Sequence, residues 1–234
     1  AGLGGIDLGA PMDVLWLRLS QRPDDPRQSF GRFADGRIMV MLDRADYWQC
    51  AFLIRKGGID ELRDQGLPAF RAAVTAIAPF LGDRVEELRS WDDVKLLTVT
   101  VDRLERWYRP GLLCIGDAAH AMSPIGGVGI NLAIQDAIAA ANILLPWLER
   151  GGAVPEEPLA WLQRRRALPT RLTQGMQLVI QNRVISRVLG GGGARRLPLP
   201  LRLVRRFPVL RRIPARIIGM GFRPEHVRTP ERGG

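Results

Sequence analysis

The first third of the chain alternates apolar and polar residues with the two-residue period of a half-buried β-strand. Runs of this kind span Met12 to Leu19, Ser29 to Phe33, Ile38 to Leu42 and Tyr47 to Arg55. The Asp35-Gly36 pair between the second and third runs is a common hairpin turn. The pattern therefore predicts an antiparallel meander of about four strands.

From Ile59 onward the apolar residues follow the helical period. A helix is predicted to begin at Ile59 and another to span Leu67 to Ile77, and the β-branched run Val94 to Val101 is predicted to return to the sheet. Leu112 to Ile115 is wholly apolar, which is typical of a strand buried on both faces. A glycine-rich loop and a long helix from about Ile130 to Glu149 follow it, and this order is typical of an α/β fold.

The rest of the chain, after a linker at Gly151 to Pro158, reads as helical from Leu159 to Leu189. A break is expected at Pro169 and an end at Gly190 to Gly193. Further prolines should keep later helices short: Pro198, Pro200, Pro208 and Pro214. The expected fold class is α/β (α+β), with an antiparallel-sheet domain over residues 1–108, an α/β segment over 109–150 and a helical, arginine-rich region over 151–234.

Composition places the chain among globular proteins, because 46% of its residues are hydrophobic. The longest apolar stretch, Ala137 to Leu148, is interrupted by Asn142 and Pro146, so no bilayer-spanning segment is expected. No export leader is evident, and we expect a cytoplasmic protein. Cys50 and Cys114 each lie in an apolar run and are predicted to be buried thiols.

The formal net charge of +10 comes from the C-terminal region, since Ser186 to Arg228 carries eleven arginines and one acid, Glu225 (11 − 1 = +10). Apolar residues are interleaved with these arginines, so one interpretation is peripheral contact with an anionic membrane face. Another is a tail that packs on its own protein with solvated arginines. Nucleic-acid binding is the weakest interpretation, because no recognisable nucleic-acid-binding fold accompanies the charge.

Candidate chemistry is concentrated between Asp117 and Asn131. Asp117 follows the predicted buried strand, where its carboxylate can accept a hydrogen bond from a ligand hydroxyl or cap a turn. Pro124 to Gly129 holds three glycines in four positions and leads directly into a helix. Glycines allow the backbone close to a flat ligand, and the positive helix end favours an anion or an electron-rich carbonyl. No Ser/His/Asp set and no metal-ligand spacing competes with this segment.

The sequence GLLCIGDAAHAMSPIGGVGINLAIQDA, from Gly111 to Ala137, resembles the second FAD motif of the para-hydroxybenzoate-hydroxylase-like flavoprotein monooxygenases, which include the ubiquinone-biosynthesis hydroxylases. Its parts are Gly-Asp-Ala-Ala-His, then Pro-x-x-Gly-x-Gly-x-Asn, and then Asp. The resemblance implies an FAD enzyme that uses NAD(P)H and O₂ to oxygenate an aromatic or unsaturated small molecule.

The resemblance also implies site residues. Asp117 would bind the ribityl chain, and the segment along the pyrimidine edge of the flavin would be Gly126, Gly127, Val128, Gly129, Ile130 and Asn131. Pro124 would lie near the substrate, while His120 is interpreted as a structural residue of the motif. Tyr47 and Gln49 share one face of their strand and would meet the substrate, unless that face packs on the helices. No catalytic residue and no metal ligand is assigned.

One departure from the family is clear, because the family opens with a strand and Gly-x-Gly-x-x-Gly, which Ala1-Gly2-Leu3-Gly4-Gly5 does not match. We therefore expect a partial FAD-binding domain that lacks its N-terminal segment and that binds FAD weakly by itself. Two alternatives stay open. One is an FAD-dependent reductase of the same fold, similar to geranylgeranyl reductases, and the other is a basic membrane-surface binding module.

Overall fold

The computed structural model describes residues 2–34, 36–189 and 212–228. Within these residues the chain forms two compact units, neither of which is a continuous stretch. The sheet unit comprises residues 10–99 and 179–189, and the helical unit comprises residues 2–9, 100–178 and 212–228. The domain limits predicted at residues 108 and 150 stay a prediction.

The described strands are β1 (Gly5–Asp7), β2 (Met12–Ser20), β3 (Phe30–Ala34), β4 (Arg37–Asp43), β5 (Tyr47–Arg55), β6 (Lys95–Leu97), β7 (Asp102–Leu104), β8 (Tyr108–Arg109) and β9 (Leu112–Leu113). The α-helices are α1 (Ile59–Asp64), α2 (Leu67–Ile77), α3 (Val128–Glu149), α4 (Glu156–Ile180), α5 (Ser186–Leu189) and α6 (Arg212–Met220). Short 3₁₀ segments lie at Pro79–Glu87, Trp91–Asp93, Gly116–Ala118 and Ile125–Gly127, and a π-helical segment, Gln181–Ile185, joins α4 to α5.

The sheet unit contains a five-stranded antiparallel sheet in the order β3-β4-β5-β2-β6. It confirms the four predicted strands, and β6 confirms that Lys95–Leu97, part of the Val94 to Val101 run, returns to the sheet. The arrangement is not a simple meander, however, because β2 pairs with β5 and places Met12 opposite Arg55 and Ser20 opposite Tyr47. These two strands have nine residues each and are mostly buried, so pairing them puts the most apolar strands at the centre of the sheet.

One face of this sheet packs on α2, which begins and ends at the predicted residues. Helix α2 buries its residues at helical spacing: Phe70, Ala73, Val74 and Ile77. The strands contribute alternate side chains to the same core: Leu15, Leu17, Leu19, Met39, Met41, Trp48, Cys50, Phe52 and Ile54. Cys50 is buried as predicted, and burial raises the pKa of its thiol to about 12, whereas Cys114 is only half-buried.

A buried ion pair fixes the loop after β2 to the 3₁₀ segment Pro79–Glu87. Asp25 and Arg84 have side chains 4% and 3% exposed, and the guanidinium donates to both carboxylate oxygens. The indole nitrogen of Trp48 also donates to Asp25, at 2.8 Å. Burial alone opposes ionisation of Asp25, but the hydrogen bonds from Arg84, the Arg22 amide and Trp48 lower its pKa to about 2.

We predict that Asp25→Asn lowers the free energy of unfolding by roughly 3 kcal/mol, because it leaves the buried Arg84 without a counter-charge. Urea denaturation measures this loss. Asp83→Asn is the matched control, since Asp83 pairs with Arg22 on the surface and its side chain is 75% exposed. The control should lose less than about 1 kcal/mol, and equal losses in both variants would contradict the interpretation.

We also predict an acid-dependent loss of stability that passes through Asp25. Its folded pKa, about 2, lies below the ordinary value of 3.8, so its contribution is complete above pH 3.8. As the pH falls from there towards 2, the unfolded chain takes up a proton before the folded chain does, and stability decreases. Urea denaturation at several pH values should show a shallower decrease in Asp25→Asn than in the parent chain.

The helical unit is built around α3 and α4, with two short antiparallel ladders, β1-β7 and β8-β9, beside them. The prediction of a strand buried on both faces at Leu112 to Ile115 is wrong. Only β9 is a strand there, and both of its residues are half-buried. Among the described residues β9 pairs with β8 alone, and Leu113 and Ile115 pack against a single apolar cluster that includes Leu144 and Leu162.

The break predicted at Pro169 is also wrong, because α4 runs through it from Glu156 to Ile180. Proline removes one helical hydrogen bond and usually kinks a helix. Here tertiary hydrogen bonds hold the helix on both sides of the proline, from Arg166 before it and from Gln174 after it. Pro214 likewise lies within α6. Outside the described residues lie the predicted stop at Gly190 to Gly193 and three of the later prolines, Pro198, Pro200 and Pro208.

Helix α3 begins at Val128 and ends at Glu149, close to the predicted bounds. By length and composition alone it could cross a membrane, with a mean hydropathy of 1.6 over its most apolar window, whereas no such segment was predicted from the interrupted run Ala137 to Leu148. In this fold α3 carries a fully buried, ion-paired Asp136, and Asn142 makes polar contacts. Such features are typical of a helix inside a folded unit.

Candidate functional site

The turn that carries Asp117 packs directly on α3. Gly116 has a φ of +57°, and a Cβ at this position would lie 2.9 Å from the Cβ of Ala133. Glycine is therefore required at this position for both its conformation and its size. The next residue, Asp117, is exposed, so its carboxylate is available to a ligand.

The carboxylate of Asp136, on α3, joins three separate segments. Its Oδ2 atom accepts a hydrogen bond from the Gly116 amide at 3.1 Å and lies 2.6 Å from Nε2 of His120. Its Oδ1 atom accepts from Nε of Arg166, on α4, at 2.8 Å. The side chains of all three charged or titratable residues are at most 2% exposed.

Asp136 is held in its ionised form. Burial would raise its pKa, but the hydrogen bond and charge of His120, followed by those of Arg166, bring the pKa below the ordinary value of 3.8. His120 is fully enclosed, with its ring centroid 5.0 Å from that of Trp107. This placement agrees with a structural role for His120, because its Nε2 atom pairs with Asp136 and its ring packs against Trp107.

The glycine loop precedes α3 with its backbone open to solvent. Gly126 and Gly127 are exposed and have φ values of +76° and +63°, and a Cβ at Gly127 would meet nothing within 4 Å. Among the described residues no side chain caps the N-terminus of α3, and the first turn of α3 contains no acidic residue. The first-turn amides and the positive end of the helix dipole are therefore available to an electron-rich group.

The segment that leads into the loop is held by two glutamines of α4. Nε2 of Gln174 donates to the carbonyls of Asp102 and Ala121 at 2.7 and 3.1 Å, and Nε2 of Gln177 donates to the carbonyl of Ser123 at 2.9 Å. Since these contacts are made to backbone atoms, they fix the path of the chain immediately before Pro124.

The structure brings most of the predicted cofactor residues to one region of the helical unit. Asp117 lies in a turn against α3, and the loop runs straight into α3 through Val128, Gly129, Ile130 and Asn131. Val128 is buried, whereas Ile130 is 72% exposed and Pro124 is exposed. The side chain of Asn131 donates to the carbonyls of Ile218 and Gly219.

Tyr47 and Gln49 lie in the sheet unit, on the sheet face opposite α2, because the face that packs on α2 carries Trp48 and Cys50. The guanidinium of Arg18 lies 4.1 Å from the Tyr47 ring centroid, and Gln49 accepts a hydrogen bond from Arg44 at 2.9 Å. Both side chains are half-buried. Their role towards a substrate stays a prediction.

The residues of the helical unit fit the ring end of a flavin. An exposed carboxylate suits the hydroxyls of a ribityl chain, and an open glycine backbone that leads to an uncapped helix suits a flat ring with a carbonyl at its edge. Arg166 was not among the predicted site residues. The run of three arginines, Arg164 to Arg166, covers about 200° of a helix, which brings one of them close to the inward face.

Comparison with known proteins identifies the family of the chain. A family model described as "FAD binding domain" matches residues 11–176, which is most of the chain. The chain therefore belongs to this family of FAD-binding proteins, as the resemblance implied.

Among curated relatives, the chain is 34% identical over 206 residues to 6-methylpretetramide 4-monooxygenase of Streptomyces rimosus, a match that covers 88% of this chain and 48% of the relative. It is 33% identical over 135 residues to kynurenine 3-monooxygenase of Xanthomonas euvesicatoria, covering 51% of this chain and 30% of the relative. The chain thus spans about half the length, or less, of the curated relatives it matches.

Two solved structures share the fold. PqsL, a probable FAD-dependent monooxygenase from Pseudomonas aeruginosa, matches with a TM-score of 0.61 and 20% identity, over 80% of this chain and 53% of that one. 2-Methyl-3-hydroxypyridine-5-carboxylic acid oxygenase matches with a TM-score of 0.61 and 19% identity, over 90% of this chain and 56% of that one. At this level of identity the likeness concerns the fold alone.

We predict that Asp136→Asn lowers the free energy of unfolding by about 3 kcal/mol, because it removes the carboxylate that pairs with the buried Arg166 at 2.8 Å, while the more distant Glu225, at 3.6 Å, already binds Arg165. Asp117→Asn is the matched control in the same motif, and its exposed side chain should change stability by no more than about 0.5 kcal/mol. Thermal or urea unfolding measures both variants. A similar loss in the two variants would show that Asp136 does not hold the segments together.

Proposed function

We propose that the protein that contains these 234 residues is an FAD-dependent monooxygenase. It uses NAD(P)H and O₂ to oxygenate an aromatic or other unsaturated small molecule. The observation that carries the proposal is that the exposed Asp117 carboxylate lies in a turn packed against α3, whose N-terminus has no side-chain cap among the described residues. Membership of the FAD-binding family supports it further.

The chain's own residues would bind and orient the flavin. The Asp117 carboxylate accepts hydrogen bonds from ribityl hydroxyls, and the exposed backbone of Gly126 and Gly127 allows the ring to approach. The amides of the first turn of α3, from Val128 to Asn131, face the carbonyl edge of the ring and stabilise negative charge there. FAD itself, when bound, supplies the hydride acceptance and the oxygen activation.

An aromatic substrate is supported by the names of the relatives, which include a hydroxypyridine carboxylic acid oxygenase and kynurenine monooxygenases. Pro124, exposed at the start of the glycine loop, is the proposed contact in the helical unit. Tyr47 and Gln49 are the proposed contacts in the sheet unit, on the face that α2 leaves open.

A reductase of the same fold is the second candidate, since the same flavin contacts would serve hydride transfer to a double bond. Oxygen consumption coupled to substrate turnover separates the two activities.

A cytoplasmic location belongs to the proposal, and it is supported by two free cysteines. Peripheral membrane contact would depend on the arginine-rich tail, most of which lies outside the described residues. A basic binding module is the remaining candidate, and deleting residue 190 onward would test both roles of the tail.

We predict that the complete coding sequence that contains this chain yields a yellow protein that releases FAD on denaturation and oxidises NAD(P)H. Asp117→Ala should lower FAD affinity at least about tenfold, because it removes a charged hydrogen-bond acceptor. Visible absorbance and fluorescence titration measure the bound flavin. Asp60→Ala is the control, since that side chain is 85% exposed in the sheet unit. A colourless parent protein, or unchanged FAD affinity in Asp117→Ala, would rule out the proposed role.

A further inference from the structure

The C-terminal end of α6 is capped by side chains of α3. The last four carbonyls of a helix have no partner within the helix. In α6 the carbonyl of Ile217 accepts from the Gly221 amide at 3.0 Å. The carbonyls of Ile218 and Gly219 accept from Nδ2 of Asn131 at 3.2 and 3.3 Å, and that of Met220 accepts from Nε2 of Gln135 at 2.7 Å.

The two capping residues lie one helical turn apart near the start of α3, so they face the same side. Asn131 belongs to the segment proposed to bind the flavin, and Gln135 is the next residue along the same helix face. The end of α6 is therefore attached to the first two turns of α3, which also present the amides of the glycine-loop site. All four terminal carbonyls of α6 accept hydrogen bonds, so a shift of α6 along α3 by even one residue would break this set of contacts.

Gly221 fixes the place where the chain leaves α6. Its φ is +73°, a conformation that favours glycine, and an added Cβ would lie 3.2 Å from Nε2 of Gln135. The close approach of Gly221 to Gln135 allows the Gln135 amide to reach the Met220 carbonyl. A larger residue at this position must displace either the end of α6 or the Gln135 side chain.

Beyond Gly221 the chain is tied to both long helices. Glu225, which is 7% exposed, accepts two hydrogen bonds of 2.7 Å from Arg165 and lies 3.6 Å from Arg166, the partner of Asp136. Further along, the side-chain amide of Asn142 donates to the carbonyl of His226 at 2.8 Å and accepts from the Arg228 amide at 2.9 Å. Residues 212–228, here called the strap, thus follow α3 from Asn131 to Asn142, a distance of about 16 Å.

We infer that the strap sets the position of the flavin-facing end of α3, with Gln135 and Gly221 as positioning residues. This inference rests on the proposed function for the identity of the ligand, but the attachment of the strap to α3 does not. The amides that would stabilise charge on the flavin lie on the same two turns that α6 holds. Cofactor affinity then depends on a segment that begins about eighty residues downstream of the FAD motif.

Two alanine substitutions test the inference in the full 234-residue chain. Gly221→Ala is strained and meets Gln135, whereas Gly219→Ala, two residues earlier in α6, would meet nothing within 4 Å and keeps its carbonyl. We expect Gly221→Ala to raise amide hydrogen exchange across residues 128–135 roughly tenfold, within the usual range for coupling between two sites. Gly219→Ala should leave that exchange unchanged. Unchanged exchange in Gly221→Ala, or equal increases in both variants, would overturn the inference.

FAD affinity and the visible spectrum of the flavin, measured on the complete flavoprotein, are readouts that lost stability alone does not move. Gly221→Ala should weaken FAD binding by about tenfold and alter the flavin spectrum, and Gly219→Ala should do neither. Faster exchange with unchanged affinity and spectrum would refute the positioning role.

Glu225→Gln is the second variant and decides the matter if Gly221→Ala does not fold, because it removes the charge that ties the strap to Arg165 without changing its shape. Glu225→Gln should raise amide exchange across residues 128–135 and weaken FAD binding. The inference fails if either the exchange or the FAD affinity stays unchanged. Glu157→Gln, an exposed acid on α4, is its control. If the complete protein without substitutions binds no FAD, the proposed function fails. Hydrogen exchange in the 234-residue chain then still decides whether the strap holds α3.

Discussion

A single buried carboxylate, that of Asp136, determines how the parts of the helical unit meet. Taking an ionised group out of water is costly, and the cost is offset here by the Gly116 amide, the His120 ring and the Arg166 guanidinium. The first two groups belong to one turn, and the third comes from α4. The turn, the helix that bears the carboxylate and the helix beside it are consequently fixed relative to one another by one charge.

This arrangement places the proposed flavin contacts before any ligand arrives. Asp117 adjoins Gly116, whose amide is bound by Asp136, and the open end of α3 lies eight residues before Asp136 on the same helix. Binding groups that are already in position lose less freedom when a ligand binds, so more of the interaction energy is available for affinity. The same fixed dipoles would act on charge that develops at the flavin edge.

Periodicity was sufficient to predict much of the fold from the sequence, since the bounds of α2 and β5 match the predicted residues. Asp117 and the glycine loop could be located because a local motif encodes them. Arg166 could not, because choosing among three adjacent arginines depends on packing between helices. The break expected at Pro169 is absent from α4 for a similar reason, because contacts distant in sequence hold the helix on both sides of the proline.

The glutamines of α4 bind the chain before Pro124 through backbone carbonyl oxygens, those of Asp102, Ala121 and Ser123. Every residue type carries that oxygen, so the side chains of this loop can change during evolution without loss of the anchor. These backbone contacts thus set the path of the chain before Pro124 independently of the residue types that line it.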